Sequence, residues 1–309
     1  MIGIAIINYN SYQKTIECVE SIRQNTKIDY KIYLLDNASS NDSYRKLNDV
    51  YANNEDILLI KSTENLGYAK GNNLCIKLMI KDKCNYGIIS NNDINIYSNS
   101  IEILISDLKK NPNLLLVGPK IQFPNGEYQN SVKLNTYKPF EYLMKSTYLK
   151  KFNKKGLMQE KNNILAINNL THVEWISGAF FAFSVKNMLE IGGFDSSTFL
   201  FFEEYILSAK AKENNFIIAY EPHSLVLHDH SFSTGGGTNV IAKIAADKSE
   251  QYYLKNYSEY KKMFCRFILF VRNLETIYTF LKRKDLSSIK KYFYEMKIDD
   301  LHRRNEYEL

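Results

Sequence analysis

Apolar and polar positions along the first 120 residues of this 309-residue chain follow two alternating periods. Short apolar runs bounded by polar residues predict buried strands, whereas apolar residues three or four positions apart predict helices. The predicted strands are Ile2–Ile7, Lys31–Leu35, Ile57–Ile60, Tyr86–Ser90 and Leu114–Val117. The predicted helices are Thr15–Gln24, Leu74–Ile80 and Ile101–Leu108. This alternation is typical of an α/β fold, in which helices flank a mixed, mostly parallel sheet.

The pattern weakens in the middle of the chain and then returns. Lys133–Asn169 is rich in Lys and Asn and predicts a surface excursion. After it, Glu204–Asn214 predicts a helix, and further strands are predicted at Phe216–Tyr220 and Leu225–His228. The excursion therefore separates two ordered parts of the chain.

A run of three glycines at 235–237 marks a flexible loop and a boundary. We expect one domain over residues 1–240, with one half in 1–120 and the other in 171–240. Residues 241–309 predict a basic, amphipathic helical region. Its apolar face is predicted to consist of Phe264, Phe267, Val271, Leu274, Ile277 and Leu281.

Composition and charge narrow the class of protein. The chain is 24% charged and 45% apolar, as soluble globular proteins are. No stretch approaches the roughly 20 apolar residues of a membrane span, and no basic residues precede the opening apolar run, so we expect a cytoplasmic protein. The four cysteines lack CxxC spacing and predict neither a zinc knuckle nor a disulfide framework. Residues 251–297 hold eleven Lys or Arg and four Asp or Glu, so the net charge of +6 belongs to the tail.

Polar clusters follow three of the predicted strands, where the ligand sites of α/β sheets lie. The clusters are Asn8-Tyr9-Asn10, Asp36-Asn37 and Asn91-Asn92-Asp93. Asp93 can bind a divalent cation, which would neutralise a diphosphate leaving group. Asn91 stands where a second carboxylate would be expected, so the cluster offers one charged ligand. The alternative is that these residues only cap a turn after the strand.

Two other segments of the first half could contact a ligand. Asp36 can hydrogen-bond a pyrimidine N–H or a ribose, although the Asx- and Ser-rich run after it is also typical of a turn. In Asn65–Asn73, Gly71 and Asn72 could let a ligand approach the backbone, or the segment could simply begin a helix. Neither GxGxxG nor GxxxxGK[ST] is present, so neither dinucleotide nor P-loop chemistry is indicated.

Acidic and histidine residues suggest chemistry in the second half. Glu203 and Glu204 follow an aromatic run, and a carboxylate in an apolar setting can accept the proton of a hydroxyl. We favour Glu204 as this base; an acid-rich helix start is the alternative. His228 and His230 share one face of a strand and can bind a metal or a phosphate, with the Ser, Thr and Gly residues of 231–237 closing over a diphosphate. A surface pair beside a turn is the alternative.

Taken in order, these motifs resemble those of the family 2 glycosyltransferases, particularly the bacterial rhamnosyltransferase-like branch. The motifs that resemble the donor-binding half of this family are Asn8-Tyr9-Asn10, Asp36-Asn37-Ala38-Ser39, Asn65-Leu66-Gly67 through Asn72-Asn73, and Asn91-Asn92-Asp93. The motifs that resemble the acceptor half are Trp175-Ile176-Ser177-Gly178-Ala179, Gly192-Gly193-Phe194-Asp195, Phe202-Glu203-Glu204, and His228 through Ser233-Thr234. The resemblance runs from the start to about residue 240.

The resemblance implies a GT-A fold, a nucleotide-sugar donor, Mg²⁺ or Mn²⁺, and inversion at the anomeric carbon. It implies that Asp93 binds the metal, that His228 binds the metal or the diphosphate, and that Glu203 and Glu204 form the catalytic dyad, with Glu204 as the base. The implied donor-binding residues are Asn8, Tyr9, Asn10, Asp36, Asn65, Gly67, Lys70, Gly71, Asn72, Asn91 and Asn92. The implied acceptor-binding residues are Trp175, Gly178 and Asp195.

Sequence and resemblance together predict a transferase that adds one sugar, since the QxxRW motif and membrane spans of processive members are absent. We expect dTDP-rhamnose or a UDP-hexose as donor, and a lipid-linked saccharide at the inner face of the cell membrane as acceptor. The pathway would be capsule, O-antigen or cell-wall glycan biosynthesis.

The basic tail suits an anionic membrane surface, or packs on the domain with its basic side solvated. Its apolar face could instead form a homodimer. Nucleic acid is not an expected partner. The alternative function is a non-catalytic sugar-nucleotide-binding or scaffold protein that retains the fold.

Overall fold

The computed structural model describes residues 1–229, 240–283, 285–296 and 309. Within them, nine strands form one sheet and two form a separate ribbon. The strands are β1 Ile2–Asn8, β2 Tyr30–Asp36, β3 Ile57–Lys61, β4 Tyr86–Asn91, β5 Ile94–Ile96, β6 Leu114–Gln122, β7 Val132–Lys133, β8 Thr171–Val173, β9 Trp175–Ile176, β10 Phe180–Ser184 and β11 Ile217–His228. The helices are α1 Tyr12–Asn25, α2 Ser43–Tyr51, α3 Gly67–Lys81, α4 Ser100–Lys110, α5 Pro139–Ser146, α6 Lys154–Leu165, α7 Val185–Glu190, α8 Glu203–Glu213, α9 Val240–Asn256, α10 Lys262–Lys282 and α11 Leu286–Glu295, with a short 3-10 helix at Tyr148–Phe152.

The sheet has the order β3-β2-β1-β4-β10-β6-β11-β5, with β8 also paired to β11. The strands β3, β2, β1 and β4 run parallel, and so do β6 and β11. Between these two groups, β10 runs antiparallel to both β4 and β6. The predicted mixed, mostly parallel sheet is confirmed, and its parallel strands carry the polar clusters to one edge.

Helices cover both faces of the sheet. On one face, α1, α2 and α4 pack through buried residues such as Val19, Leu47 and Leu104. On the other face, α3, α7 and α8 pack through residues such as Ile76 and Leu207. Each such fully buried side chain contributes about 1.5–3 kcal/mol relative to exposure. The sheet is therefore held rigidly between two apolar layers.

Residues 133–169, which the sequence predicted to be a surface excursion, contain regular structure. The segment holds α5, α6 and the 3-10 helix, and α5 begins at Pro139, a residue favoured in the first helical turn. Few apolar residues anchor it, notably Tyr142 and Ile164, which are buried. Because the other positions are mostly polar, the helical period was hard to detect in the sequence.

The six residues predicted as the apolar face of the tail lie on one side of α10, and that side faces outward or is only partly buried. In α10 the buried residues are Cys265, Ile268, Thr276 and Phe280. The outward side exposes an apolar row, which we call the α10 stripe: Met263, Phe267, Phe270, Leu274, Tyr278 and Leu281. The buried side also carries polar residues, among them Arg272 and Thr276, so the apolar period of the sequence marks the outward face and not the buried one. Among the helices of the described residues, none is both long and apolar enough to cross a bilayer.

Candidate active site

The ends of β1 and β2 hold a buried polar network. Asn8 and Asp36 are register partners, and Asn8 Nδ2 donates to Asp36 Oδ2 at 2.7 Å. Ser39 donates twice to the same carboxylate, from its backbone N–H at 3.1 Å and from Oγ at 2.7 Å. Asp36 is only 1% exposed, so these bonds satisfy its charge internally. The predicted contact of Asp36 with a nucleobase stays a prediction. Nearby, Tyr9 is 48% exposed.

The loop before α3 is fixed by amide side chains. Asn37 Nδ2 donates to Asn65 Oδ1 at 3.0 Å, and the Leu66 N–H donates to Asn37 Oδ1 at 2.8 Å. Gly67 has a φ of +69°, and a Cβ there would lie 2.2 Å from the carbonyl oxygen of Phe199. This loop therefore requires glycine for its fold, whether or not it contacts a donor.

The remaining predicted donor residues of α3 have packing contacts. A Cβ on Gly71 would lie 2.8 Å from Ile7 Cδ1, so this glycine lets α3 approach β1 closely. Asn72 is buried and donates to the Tyr68 carbonyl one helical turn earlier, at 3.0 Å. Lys70 is partly buried on the same helix. Contacts of these residues with a donor stay predictions.

Asp93 and His228 meet where β4 and β11 end. Asp93 Oδ1 lies 3.1 Å from His228 Nε2, and both side chains are at most 3% exposed. The other ring nitrogen, Nδ1, lies 2.8 Å from Gln129 Oε1, and Gln129 Nε2 faces Ser177 Oγ. With the amide in this orientation, Nδ1–H donates to Gln129, and the lone pair of Nε2 points at Asp93.

This pair fits a divalent cation. An Nδ1–H donated to an outer partner is the usual arrangement of a metal-ligating histidine. A carboxylate oxygen and a nitrogen 3.1 Å apart correspond to adjacent ligands of an octahedral ion with bonds of about 2.1 Å. Within the described ranges, no group of three or more His, Cys, Asp or Glu side chains could hold a metal. The described residues thus offer two ligands here, Asp93 and His228.

The neighbouring asparagines of this cluster have separate roles. Asn92 Nδ2 donates to Ser11 Oγ at 2.7 Å and to Thr15 Oγ1 at 2.9 Å, which ties the turn after β4 to α1. The Asn91 N–H donates to the Ala179 carbonyl at 2.8 Å. These bonds fix the backbone directly before Asp93.

Glu204 lies in the first turn of α8 and is held by Gly178. The Gly178 N–H donates to Glu204 Oε1 at 2.8 Å, and the Tyr68 hydroxyl donates to the Gly178 carbonyl at 2.7 Å. A Cβ on Gly178 would lie 2.5 Å from Glu204 Oε1, so only glycine allows this approach. Since Ala179 bonds Asn91, the dipeptide 178–179 joins the carboxylate to the strand end that carries Asp93.

The two carboxyl groups of the dyad differ in environment. Burial raises the pKa of Glu203 well above its usual value, and the charge of Glu204 raises it further. Burial also raises the pKa of Glu204, but hydrogen bonding to backbone N–H groups, including that of Gly178, and the charge of Lys133 limit the rise. Glu203 therefore holds its proton more firmly, and Glu204 is better suited to accept one.

The turn before the dyad is strained. Phe201 and Phe202 both have left-handed backbones, with φ of 72° and 68°. Such a conformation is an outlier for bulky residues and costs of order 1–3 kcal/mol each. Strain of this kind is concentrated at functional sites, and here it aims the first turn of α8 at Gly178.

The predicted acceptor residues Trp175 and Asp195 have contacts within the protein. Trp175 lies in β9, where its ring is 5.5 Å from that of Tyr205. Asp195 accepts hydrogen bonds from the hydroxyls of Tyr252 and Tyr257, at 2.8 and 2.6 Å, and so anchors α9 and the residue after it. Burial acts to raise the pKa of Asp195, but the hydrogen bonds from Tyr257, Ser197 and Tyr252 outweigh it and the pKa is lowered. Acceptor contacts of Trp175, Gly178 and Asp195 stay predictions.

Three residues near the site were not predicted, and one predicted loop is not described by the structure. Gln129, Tyr68 and Lys133 were missed from the sequence, because each acts through a partner from a distant element. The predicted phosphate loop lies outside the described residues: His230, Ser231, Ser233, Thr234 and Gly235–Gly237.

Solved structures resemble this fold, and two of them are similar as follows. Over 82% of this chain and 48% of the other, it resembles a structure of GalNAc-T7 with UDP, GalNAc and Mn²⁺, at a TM-score of 0.60 and 15% identity. Over 95% of this chain and 73% of the other, it resembles the mannosyltransferase PcManGT from Pyrobaculum calidifontis in complex with GDP-Man and Mn²⁺, at a TM-score of 0.54 and 11% identity. The chain thus spans about half of the first protein. No curated protein matches its sequence.

These likenesses define the architecture as a GT-A fold, as predicted. The model of glycosyl transferase family 2 matches residues 3–179, which is more than half of the chain. The chain therefore belongs to glycosyl transferase family 2, as the ordered motifs indicated.

Proposed function

We propose that this protein is an inverting, metal-dependent glycosyltransferase that moves one sugar from a nucleotide diphosphate to an acceptor hydroxyl. The observation that carries the proposal is the connection, through Gly178 and Ala179, between Glu204 and the strand end bearing Asp93. A proton acceptor and a cation site so joined are the two groups that sugar transfer from a diphosphate requires.

In this mechanism Glu204 accepts the proton of the acceptor hydroxyl as its oxygen attacks the anomeric carbon. The attack displaces the diphosphate from the opposite side and so inverts the configuration. The hydrogen bond from Gly178 orients the carboxylate before the reaction, and Glu203, which holds its proton, adds no second negative charge. General-base catalysis of this kind contributes typically about 10²- to 10⁴-fold.

Asp93 and His228 are proposed to hold Mg²⁺ or Mn²⁺. When bound, the ion would neutralise charge on the leaving diphosphate. Gln129 would keep His228 in the tautomer that offers Nε2. The Mn²⁺ named in both similar structures supports this assignment.

The donor is proposed to be a sugar nucleotide. The similar structures contain UDP in one case and GDP-Man in the other, which supports a nucleotide diphosphate without selecting its base. dTDP-rhamnose is our first candidate because of the branch that the motifs resemble, and a UDP-hexose is the second.

The acceptor is proposed to be a lipid-linked saccharide in the synthesis of a bacterial surface polysaccharide. The α10 stripe supports it, because an exposed apolar row of this length marks an interaction surface. The 3-10 helix Tyr148–Phe152 packs beside the stripe, with the Tyr148 and Tyr278 rings 6.2 Å apart. Exposed cations lie around both elements: Lys150, Lys151, Lys154, Lys155, Lys262, Arg266, Lys282 and Arg283. An apolar row with a cationic border fits an anionic lipid surface, here the inner face of the membrane.

The alternative is a non-catalytic sugar-nucleotide-binding or scaffold protein. It predicts that the chain binds sugar nucleotides but never releases free nucleotide with any acceptor. The buried carboxylates of the dyad disfavour it, since burying them costs stability that a scaffold would not need.

Glu204→Gln tests the proposal by nucleoside diphosphate release from a panel of sugar nucleotides with Mn²⁺. We expect turnover to fall by about 10²- to 10⁴-fold while nucleotide affinity is kept. Glu213→Gln, at the exposed end of the same helix, is the matched control and should retain activity. Undiminished turnover in Glu204→Gln would refute the base assignment, and no nucleotide release by the wild type would favour the scaffold.

A further inference from the structure

A large aromatic cavity lies beside the dyad. Its volume is about 510 Å³, within the range of about 300–1,000 Å³ of small-molecule sites. The walls come from the segment after β7, from β9, from α8 and from the tail. Tyr205, which directly follows Glu204, lies in the wall. A molecule in this cavity would therefore contact α8 next to the proposed base.

The cavity contains an ammonium group in an aromatic surrounding. Lys133 Nζ lies 4.6 Å from the ring centre of Tyr137, 5.3 Å from that of Trp175 and 4.5 Å from that of Tyr205. It donates a hydrogen bond to the Tyr205 hydroxyl. Ring faces stabilise a cation, but they leave donors of the ammonium unused.

Among the described residues, no carboxylate forms an ion pair with Lys133. The nearby Glu160 is taken by Lys145 at 2.9 Å, and Glu204 accepts from Gly178. Burial lowers the pKa of Lys133 to about 8, although Glu160 and Glu204 act to raise it. Its charge is thus only partly compensated, and an anion entering the cavity would complete the compensation.

Other features of the wall favour a charged saccharide. Trp175 Nε1 is buried without a hydrogen-bond partner among the described residues, so it can donate to a ligand oxygen. Lys138 and Lys261 add cations, whereas Glu259 is paired with Lys212 at 2.7 Å. Aromatic rings offer the apolar surface on which sugar rings pack.

We propose that this cavity binds the acceptor sugar and that Lys133 binds an anionic substituent of that sugar, either a phosphate ester or a carboxylate. The inference rests on the proposed function and specifies its acceptor. A phosphate would mean that the accepting sugar is the one attached to the lipid phosphate, early in glycan assembly. A carboxylate would mean a uronic acid at the end of the growing glycan.

Calorimetric titration of three probe sugars tests the proposal. The probes are a hexose 1-phosphate, a methyl hexuronide and a neutral methyl hexoside. Each is added to the full chain saturated with Mn²⁺ and a nucleoside diphosphate, so that the donor site is filled. We expect one charged probe to bind at least about tenfold more tightly than the neutral probe. Which charged probe binds more tightly identifies the substituent.

Lys133→Met should remove this difference, because it removes the ammonium and keeps an apolar side chain of similar length. Lys110→Met, at the exposed end of α4, is the matched control and should keep the difference. Equal wild-type affinities for all three probes would overturn the proposal, and this comparison needs no variant to fold. A preference that survives Lys133→Met would overturn the role of Lys133. Failure of the nucleoside diphosphate to bind with Mn²⁺ would instead count against the proposed function.

Discussion

Adding one methyl group at Gly178 should misplace the proposed base. The Cβ of Gly178→Ala would lie 2.5 Å from Glu204 Oε1 and 2.8 Å from the Tyr68 hydroxyl. Ordinary van der Waals contact begins at 3.4 Å, so the carboxylate oxygen must move by about 0.9 Å. That movement lengthens the bond from the Gly178 N–H, which is 2.8 Å in the native chain.

Two magnitudes follow from this displacement. Misplacement of a reacting group by about 1 Å can cost about 10²-fold in rate, so we expect turnover to fall by about that factor. Overpacking of a filled site typically costs about 1–3 kcal/mol of stability. Affinity for a nucleoside diphosphate with Mn²⁺ should not change, because Asp93 and His228 keep their contact.

The assay is nucleoside diphosphate release at saturating donor and acceptor, with urea unfolding measured on the same preparation. Gly192→Ala is the control, since Gly192 has a left-handed φ of +73° but no atom within 4 Å of the added Cβ. It should lose about 1–2 kcal/mol through backbone strain and keep its turnover. A folded Gly178→Ala with wild-type turnover would refute the reasoning, as would an equal loss of turnover in the control.

Three further predictions concern other parts of the molecule. Because folding raises the pKa of Glu203, its ionisation opposes folding once the pH exceeds the unfolded pKa of 4.5. Glu203→Gln should therefore raise the urea midpoint of unfolding at pH 8 but not at pH 4. Equal shifts of the midpoint at both pH values would contradict this. Gln129→Leu should weaken Mn²⁺ affinity by about 10- to 100-fold in a direct titration, and unchanged affinity would show that the His228 tautomer needs no partner. Phe270→Glu should abolish cosedimentation with phosphatidylglycerol vesicles, whereas unchanged binding, or a wild-type dimer that the variant dissociates, would favour other uses of the α10 stripe.

The first half of the fold was readable from sequence because its strands are continuous apolar runs. The packing of the tail was not, since the buried face of α10 is partly polar and depends on a small cluster with Tyr142 and Leu254. Helix α5 is only eight residues long and α6 is mostly polar, so neither shows a clear helical period in the sequence. The spacing of apolar residues therefore identified the strands that are buried on both faces of the sheet. It did not identify which side of a helix is buried when that depends on a distant part of the chain.

The candidate site divides in the same way. Asp93, Glu204 and His228 stand beside apolar runs, and their chemistry is visible in their residue types. Gln129 and Lys133 lie in the segment around β7, where no local pattern marks them. Their importance depends on what the fold brings to them, namely the imidazole of His228 for one and a group of aromatic rings for the other.

The antiparallel position of β10 has a consequence for the order of folding. The strands β1 to β4 are consecutive in the chain and can pair as soon as the first 91 residues exist, but β4 then has an open edge. That edge stays unpaired until Phe180–Ser184 is available, and an unpaired edge invites association with other chains. Asp93 waits longer still for His228, 135 residues later. During synthesis on the ribosome, cation binding at this pair would therefore require that β4 and β11 have both joined the sheet.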